Sequence, residues 1–170
     1  MATLSTLTPW VNRKATQDRG EKLIVLRKSF VANELKYSSG TTALAANDFV
    51  PLWEIPFGST IISARANVLT GTSAACVFDL GVHGFTAYLG TTFSTGSTGA
   101  DIDGILDGID LNTTGVFSTT GVLIGRKLDE RVFTDSDELD MPLYIALKAI
   151  TLTAQPDAGV WDLFVEVLVP

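Results

Sequence analysis

The segment STIISARANVLTGTSAACVFDLGV, residues 59–82, decides the fold class. In its first half Ile62, Ala64, Ala66 and Val68 alternate with Ser63, Arg65 and Asn67, the period-two pattern of a strand with one buried face. After the turn signal TGTS, Cys76, Phe78, Leu80 and Val82 share a second apolar face, with Asp79 opposite. Two half-buried strands joined by a short turn predict an antiparallel pair.

Working outward, the same alternation recurs. MPLYIALKAITLT (141–153) gathers Leu143, Ile145, Leu147 and Ala149. GVWDLFVEVLVP (159–170) aligns Trp161, Leu163, Val165 and Val167 opposite Asp162 and Glu166. The linker AQPDAG has turn chemistry, which predicts a second hairpin. EKLIVLRKSFVA (21–32) and NDFVPLWEIP (47–56) are further strands, and Pro51 and Pro56 mark the second as an edge strand or a broken one. GVFSTTGVLIGRKL (115–128) and ERVFT (130–134) are weaker candidates. DERVFTDSDELDMP could open a short helical turn, which Pro142 ends, and no segment carries a long helical stripe. GTTFSTGSTGA (90–100) reads as a long exposed loop. Short strands separated by Gly, Ser, Thr and Asp turns predict an all-β antiparallel sandwich, jelly-roll-like. Residues 1–20 are expected to form an extended N-terminal arm and residues 21–170 one sandwich domain.

At 170 residues the chain is long enough to bury roughly 70% of the surface its unfolded form exposes. Its one cysteine, Cys76, excludes an internal disulfide and sits among small apolar residues as a core filler. No stretch approaches the roughly 20 apolar residues that span a bilayer, and the N-terminus has no apolar run of the signal-peptide kind. The expectation is therefore a soluble product of the cytoplasm with no membrane partner. A net charge of −7 argues against a general nucleic-acid binder, which carries a basic face. The charge is uneven: residues 1–36 hold seven of the twelve cations and three of the nineteen anions, a net of +4, leaving −11 for the remainder. That division suggests a basic arm on an acidic body.

The chemistry-bearing residues are few. His83, the one histidine, lies in GVHGF without a GxSxG elbow and reads as a surface or turn residue. One His and one Cys also remove the usual zinc and iron ligand sets, and no cofactor is expected. The run ADIDGILDGIDLNTTG (100–115) concentrates Asp101, Asp103, Asp107 and Asp110. It departs from the EF-hand loop, because glycine follows the second aspartate at once and position twelve is Asn112. Paired carboxylates could serve a glycosidase, but its surroundings supply only Phe93 and Phe117 as stacking aromatics. The run reads best as a structural turn and strand-end element formed by Asp101, Asp103, Gly104, Asp107, Gly108 and Asp110. Whether Asp101 and Asp103 cap backbone groups or hold an ion between subunits stays open. The chain is expected to be a binding or assembly module and not an enzyme.

LWEIPFGSTIISARANVLTGTSAACVFDLGV followed by DIDGILDGIDLNTTG resembles a pattern of small structural proteins of tailed bacteriophages. There an IPxG turn leads into a strand, a small-residue turn and a VxxGDGTDxDGfxDaxDl block. The likeness spans roughly residues 48–120, with Ile55, Pro56 and Gly58 on the turn and Asp101, Asp103, Gly104, Asp107 and Asp110 on the block. The chain departs from it where GVHGFTAYLGTTFSTGSTGAD opens the compact GDGTD, beginning at Gly81. The resemblance implies a capsid decoration (cement) or head-fibre protein: a jelly roll, usually trimeric, on the outer surface of the virion, with the major capsid protein as partner. On that footing Trp10, Arg13, Lys14 and Arg19 are candidate contacts of a capsid-binding arm. Phe49, Trp53 and Phe57 flank strands where a trimer could bury them. The alternative is a fibre or receptor-binding module that recognises host glycans through the exposed loop residues Tyr88 and Phe93.

Overall fold

The computed structural model describes residues 21–32, 44–84, 86–89, 92–94, 101–118, 121–128, 143–153 and 159–170. Strands in chain order are β1 (Lys22–Val31), β2 (Phe49–Ile55), β3 (Thr60–Thr70), β4 (Cys76–Gly84), β5 (Thr86–Leu89), β6 (Thr92–Ser94), β7 (Asp101–Asp110), β8 (Gly115–Phe117), β9 (Leu143–Leu152) and β10 (Val160–Val169). Among the described residues there is no α-helix. Two four-stranded antiparallel sheets carry the fold, in the orders β1-β10-β3-β8 and β2-β9-β4-β7, beside a small β5-β6 ribbon. The chain is thus an all-β sandwich, and this pair of strand orders is that of a jelly roll.

The two expected hairpins do not form. β3 lies in the first sheet and pairs with β10 and β8, whereas β4 lies in the second and pairs with β9 and β7. β9 and β10 are likewise divided between the sheets. Alternation tells only that a strand has one buried face. An arch that carries the chain across the core satisfies that requirement as well as a hairpin within one sheet does. β4 and β7 do remain neighbours, with β5 and β6 inserted between them.

Inward side chains of both sheets make one core: Leu26 and Phe30 of β1, Ile61, Ala66 and Val68 of β3, Phe78 and Leu80 of β4, Ile145 and Leu147 of β9, and Leu163, Val165 and Val167 of β10. Cys76 is fully buried among them. Trp161 bridges the layers, stacked on Phe30 at 4.5 Å between ring centroids and facing Phe78 of the opposite sheet at 6.4 Å. β2 is an edge strand with a register shift at Pro51, and it stops before Pro56.

Bulges overturn one detail of the expected faces. Ile62 does not join Ala64 and Ala66 in the core: Ser63 pairs with Glu166 and Ile61 with Val167, so Ile62 is the extra residue, and it points outward. Leu69 is skipped in the same way between Val68 and Thr70, and Ile150 between Ala149 and Thr151. Each insertion turns an aliphatic side chain to solvent because the side-chain period is two. GTTFSTGSTGA is also not wholly loop, since Thr92–Ser94 is β6. The 130–134 strand and the helical turn expected around 129–142 lie outside the described residues.

Candidate interaction surfaces

The acidic run, expected as a turn and strand-end element, is a strand along its length, with Asp110 at the turn that follows. Asp101–Asp110 forms β7, an edge strand paired with β4. The apolar residues between its aspartates need burial, and Ile105, Leu106 and Ile109 are fully buried. Their demand for the core outweighs the turn preference of Asp and Gly. What the glycines supply is a break in the ladder. Phe78 pairs with Ile109 and Leu80 with Leu106, so Asp79 faces two residues, Asp107 and Gly108, and Gly108 takes a positive φ of 70°.

Asp79 lies on the outer side of this sheet yet is buried, and its Oδ1 accepts a hydrogen bond from the Gly108 N–H at 2.9 Å. Burial pushes the Asp79 carboxyl above the usual carboxylate range. The Gly108 hydrogen bond and Lys148 oppose that rise, and the charges of Asp107 and Asp103 add to it. Lys148 is the cross-strand partner of Asp79 on β9 and reaches over the Phe49 ring. Further along the same side, burial and Glu54 raise the Tyr144 hydroxyl. Asp103 and Asp107 are exposed. Asp110 closes the turn after β7, accepting from the Asn112 N–H and the Thr113 hydroxyl. Gly104 is buried, and its carbonyl accepts from the Leu123 N–H at 2.9 Å.

The outer side of the first sheet is built differently. Its central row is Arg27, Phe164 and Arg65, with the guanidiniums 5.0 and 4.6 Å from the ring centroid on either side. Asp162 on one side of this row pairs with Arg27 at 3.2 Å and accepts from the Ser29 hydroxyl, and Glu166 on the other side accepts from Ser63. Around these satisfied polar groups stand aliphatic side chains open to solvent. Leu23 and Val25 are on β1, 59% and 58% exposed, and Val116 is on β8, 64% exposed. Ile62, Leu69 and Val122 are also exposed.

Among the described residues, no three His, Cys, Asp or Glu side chains gather as a metal ion would require, and no helix is long and apolar enough to cross a membrane. No protein-family model matches the chain, and no curated protein sequence matches it. Its backbone is similar to chains of two phage capsids. One is from the capsid of Ralstonia phage GP4, with a TM-score of 0.47 and 15% identity, covering 94% of this chain and 92% of that one. The other is from the capsid asymmetric unit of cyanophage Pam1, with a TM-score of 0.44 and 15% identity, covering 95% of this chain and 99% of that one.

The structure brings Asp103, Asp107 and Gly108 together around Asp79, which sequence reading assigned only to a strand face. Asp101 pairs with Val82, and His83 with Tyr144, along the backbone. Tyr88 falls in β5 and Phe93 in β6. Phe49, Trp53 and Phe57 are half-buried, the last two against the core. Trp10, Arg13, Lys14 and Arg19 lie outside the described residues. The exposed aliphatics were missed. The one signal for them is that β1 is apolar on both sides at its start, Leu23 and Val25 against Ile24 and Leu26.

Proposed function

We propose that the chain is a bacteriophage virion structural protein that decorates the outer surface of an icosahedral capsid as a homotrimeric cement protein, with the major capsid protein as partner and no catalytic role. The observation that carries this reading is where the phage-like pattern falls. Gly58 of the IPFG turn has a φ of 86°, and its N–H donates to Leu128; Gly104 of the acidic block is buried, and its carbonyl accepts from the Leu123 N–H. Gly58 therefore stands where a side chain is strained, and Gly104 where the backbone of Gly121 approaches closely, which supports reading the pattern's spacing as a record of backbone as well as of composition. The basic segment 1–20 would serve as the arm, Trp10 filling a pocket and Arg13, Lys14 and Arg19 meeting capsid carboxylates.

The mechanism is mass action. A ligand that binds only the assembled shell lowers its free energy by RT ln(1 + [L]/Kd), about 4 kcal/mol at a thousandfold excess over Kd. Many sites per shell multiply the effect. Purified protein mixed with decoration-free capsids should add density to the shell in electron micrographs and raise its disruption temperature; bare shells would overturn the proposal. Binding to a glycan array without binding to capsids would favour a receptor-binding module instead. Such a module would use Tyr88 and Phe93 of the β5-β6 ribbon, which is a sheet of its own.

A further inference from the structure

The outer side of the β1-β10-β3-β8 sheet carries its charges as a cross centred on Phe164. Arg27 and Arg65 flank that ring on the two neighbouring strands, and Asp162 and Glu166 flank it along β10, each two residues away. The arms are similar in length, about 4.8 Å across the strands and about 6.8 Å along them. Ser29 and Ser63 fill two corners on one diagonal, and Val25 and Asn67 the corners on the other, with Val116 of β8 beside Asn67. Val25 and Val116 are open to solvent. The other described charges of this flank, Glu21, Lys22, Arg126 and Lys127, gather outside the cross at the Leu168 end: the first two stand at the start of β1, and Lys127 bridges to Thr60, the partner of Leu168. Lys28 projects toward the core side of β1 and guards its free edge, which leaves the face as the surface open to a partner.

A cross with cations on one arm and anions on the other repels a copy of itself laid over it with strands aligned and attracts one turned by a right angle. The turn sets Arg27 and Arg65 of each copy over Asp162 and Glu166 of the other. Near-perpendicular crossing is one of the two ways in which sheets pack face to face. A two-fold axis that lies in the interface along a diagonal of the cross produces this crossing, so the contact is isologous and closes at two copies. The Leu168 end of each sheet, with its separate charges, then overhangs the edge of the other. Of the two diagonals, the one from Val25 to Asn67 sets Val25 beside its own counterpart and Val116 beside its own, whereas the other lays Val25 on the Asn67 amide. We infer that this face is a docking surface for a second copy of the chain, crossed at a right angle about the Val25–Asn67 diagonal. The contact goes beyond the homotrimer proposed above, because a two-fold axis pairs single chains and whole trimers alike.

Charge exchange on the full-length protein, read by light scattering, tests it. The unsubstituted protein should have at least about twice the mass of a variant with an all-acidic cross, Arg27→Glu with Arg65→Glu, and of one with an all-basic cross, Asp162→Lys with Glu166→Lys. Mixed in equal amounts, the two variants should regain the unsubstituted mass, because each cross then attracts only the other. Circular dichroism checks that each variant folds. Where one misfolds, cross-linking gives the readout. Sheets stacked face to face stand about 10 Å apart, beyond the span of a disulfide, so a short bismaleimide should couple Val25→Cys, and likewise Val116→Cys, into dimers. Thr151→Cys, at an exposed position on the other sheet, should stay uncoupled, and the native Cys76 is buried. An unsubstituted protein no heavier than its variants, a mixture no heavier than its components, or Val25→Cys coupled no faster than Thr151→Cys would each overturn the inference. Charge variants that lose capsid binding with their mass unchanged would also overturn it and assign the face to the capsid protein. A pair that forms and leaves capsids bare would sink the decoration proposal and leave the two-fold contact standing.

Discussion

Asp79 of β4 accepts the backbone N–H of Gly108 in β7 at 2.9 Å, at the point where the ladder between those strands skips a step. The carboxylate thereby satisfies an amide that the ladder between β4 and β7 does not use. It does so at a cost, since burial and the neighbouring Asp107 and Asp103 disfavour its charge.

The pH dependence of stability should follow from that cost. Asp79 titrates higher in the folded chain than in the unfolded one, so between the ordinary value of about 4 and the raised one the folded state holds more protons. Stability from this group is then greatest at low pH and falls as pH rises through that interval. Asp79→Asn keeps an acceptor for Gly108 and removes the charge. Urea midpoints measured from about pH 3 to 7 should decline less with rising pH in the variant; equal slopes would refute the assignment. Asp79→Ala should cost about 1–3 kcal/mol at any of these pH values, by leaving the Gly108 N–H without its acceptor.

Two glycines should respond to alanine in different ways. A Cβ on Gly108 meets nothing within 4 Å, so its penalty comes from the positive φ alone, about 1–2 kcal/mol. On Gly121 it would stand 2.1 Å from the Gly104 carbonyl oxygen, a backbone atom that cannot turn aside. Gly121→Ala should therefore displace the 121–128 segment from β7 and speed hydrogen exchange at the Leu123 amide. An unchanged Leu123 rate would show that the close approach is not needed.

Burial lowers the Lys28 ammonium below its ordinary value. The folded chain then holds fewer protons than the unfolded one just under the usual lysine range, so stability from this group increases as pH rises through that range. Lys28→Met should stabilise the monomer by on the order of 1 kcal/mol, since a partly buried charge is removed. It should also expose β1 to edge pairing, and turbidity on heating should rise. A variant no more prone to aggregate than the parent would remove the guarding role.

Trp161 is the bridge between the layers, and its buried Nε1 has no hydrogen-bond partner among the described residues. Trp161→Phe keeps a ring between Phe30 and Phe78 and removes that N–H, so the loss should stay under about 1.5 kcal/mol. Trp161→Ala should cost about 3–5 kcal/mol. A thermal melt in which both variants fall equally would mean that the stack contributes nothing beyond the volume of its first atoms.

The sequence by itself determined that the fold is all β and, for most strands, which face is buried. Phe78, Leu80, Ile145, Leu147, Leu163 and Val165 were legible because alternation is a local property set by the two-residue period of a strand. Pro51 and Pro56 likewise announced an edge strand, since a missing N–H forbids a central one. Which sheet each strand joins was decided only in the tertiary structure, because a hairpin and an arch across the core impose the same alternation on β3 and β4. The outward turn of Ile62, the bulge at Gly108 and the burial of Asp79 belong to that second class. Each depends on a partner strand distant in the chain, whose register no neighbouring residue encodes. The run that begins at Asp101 shows the division most clearly. Its aspartates and glycines promised a turn locally, and the apolar residues between them could be buried only by laying the run as a strand along β4.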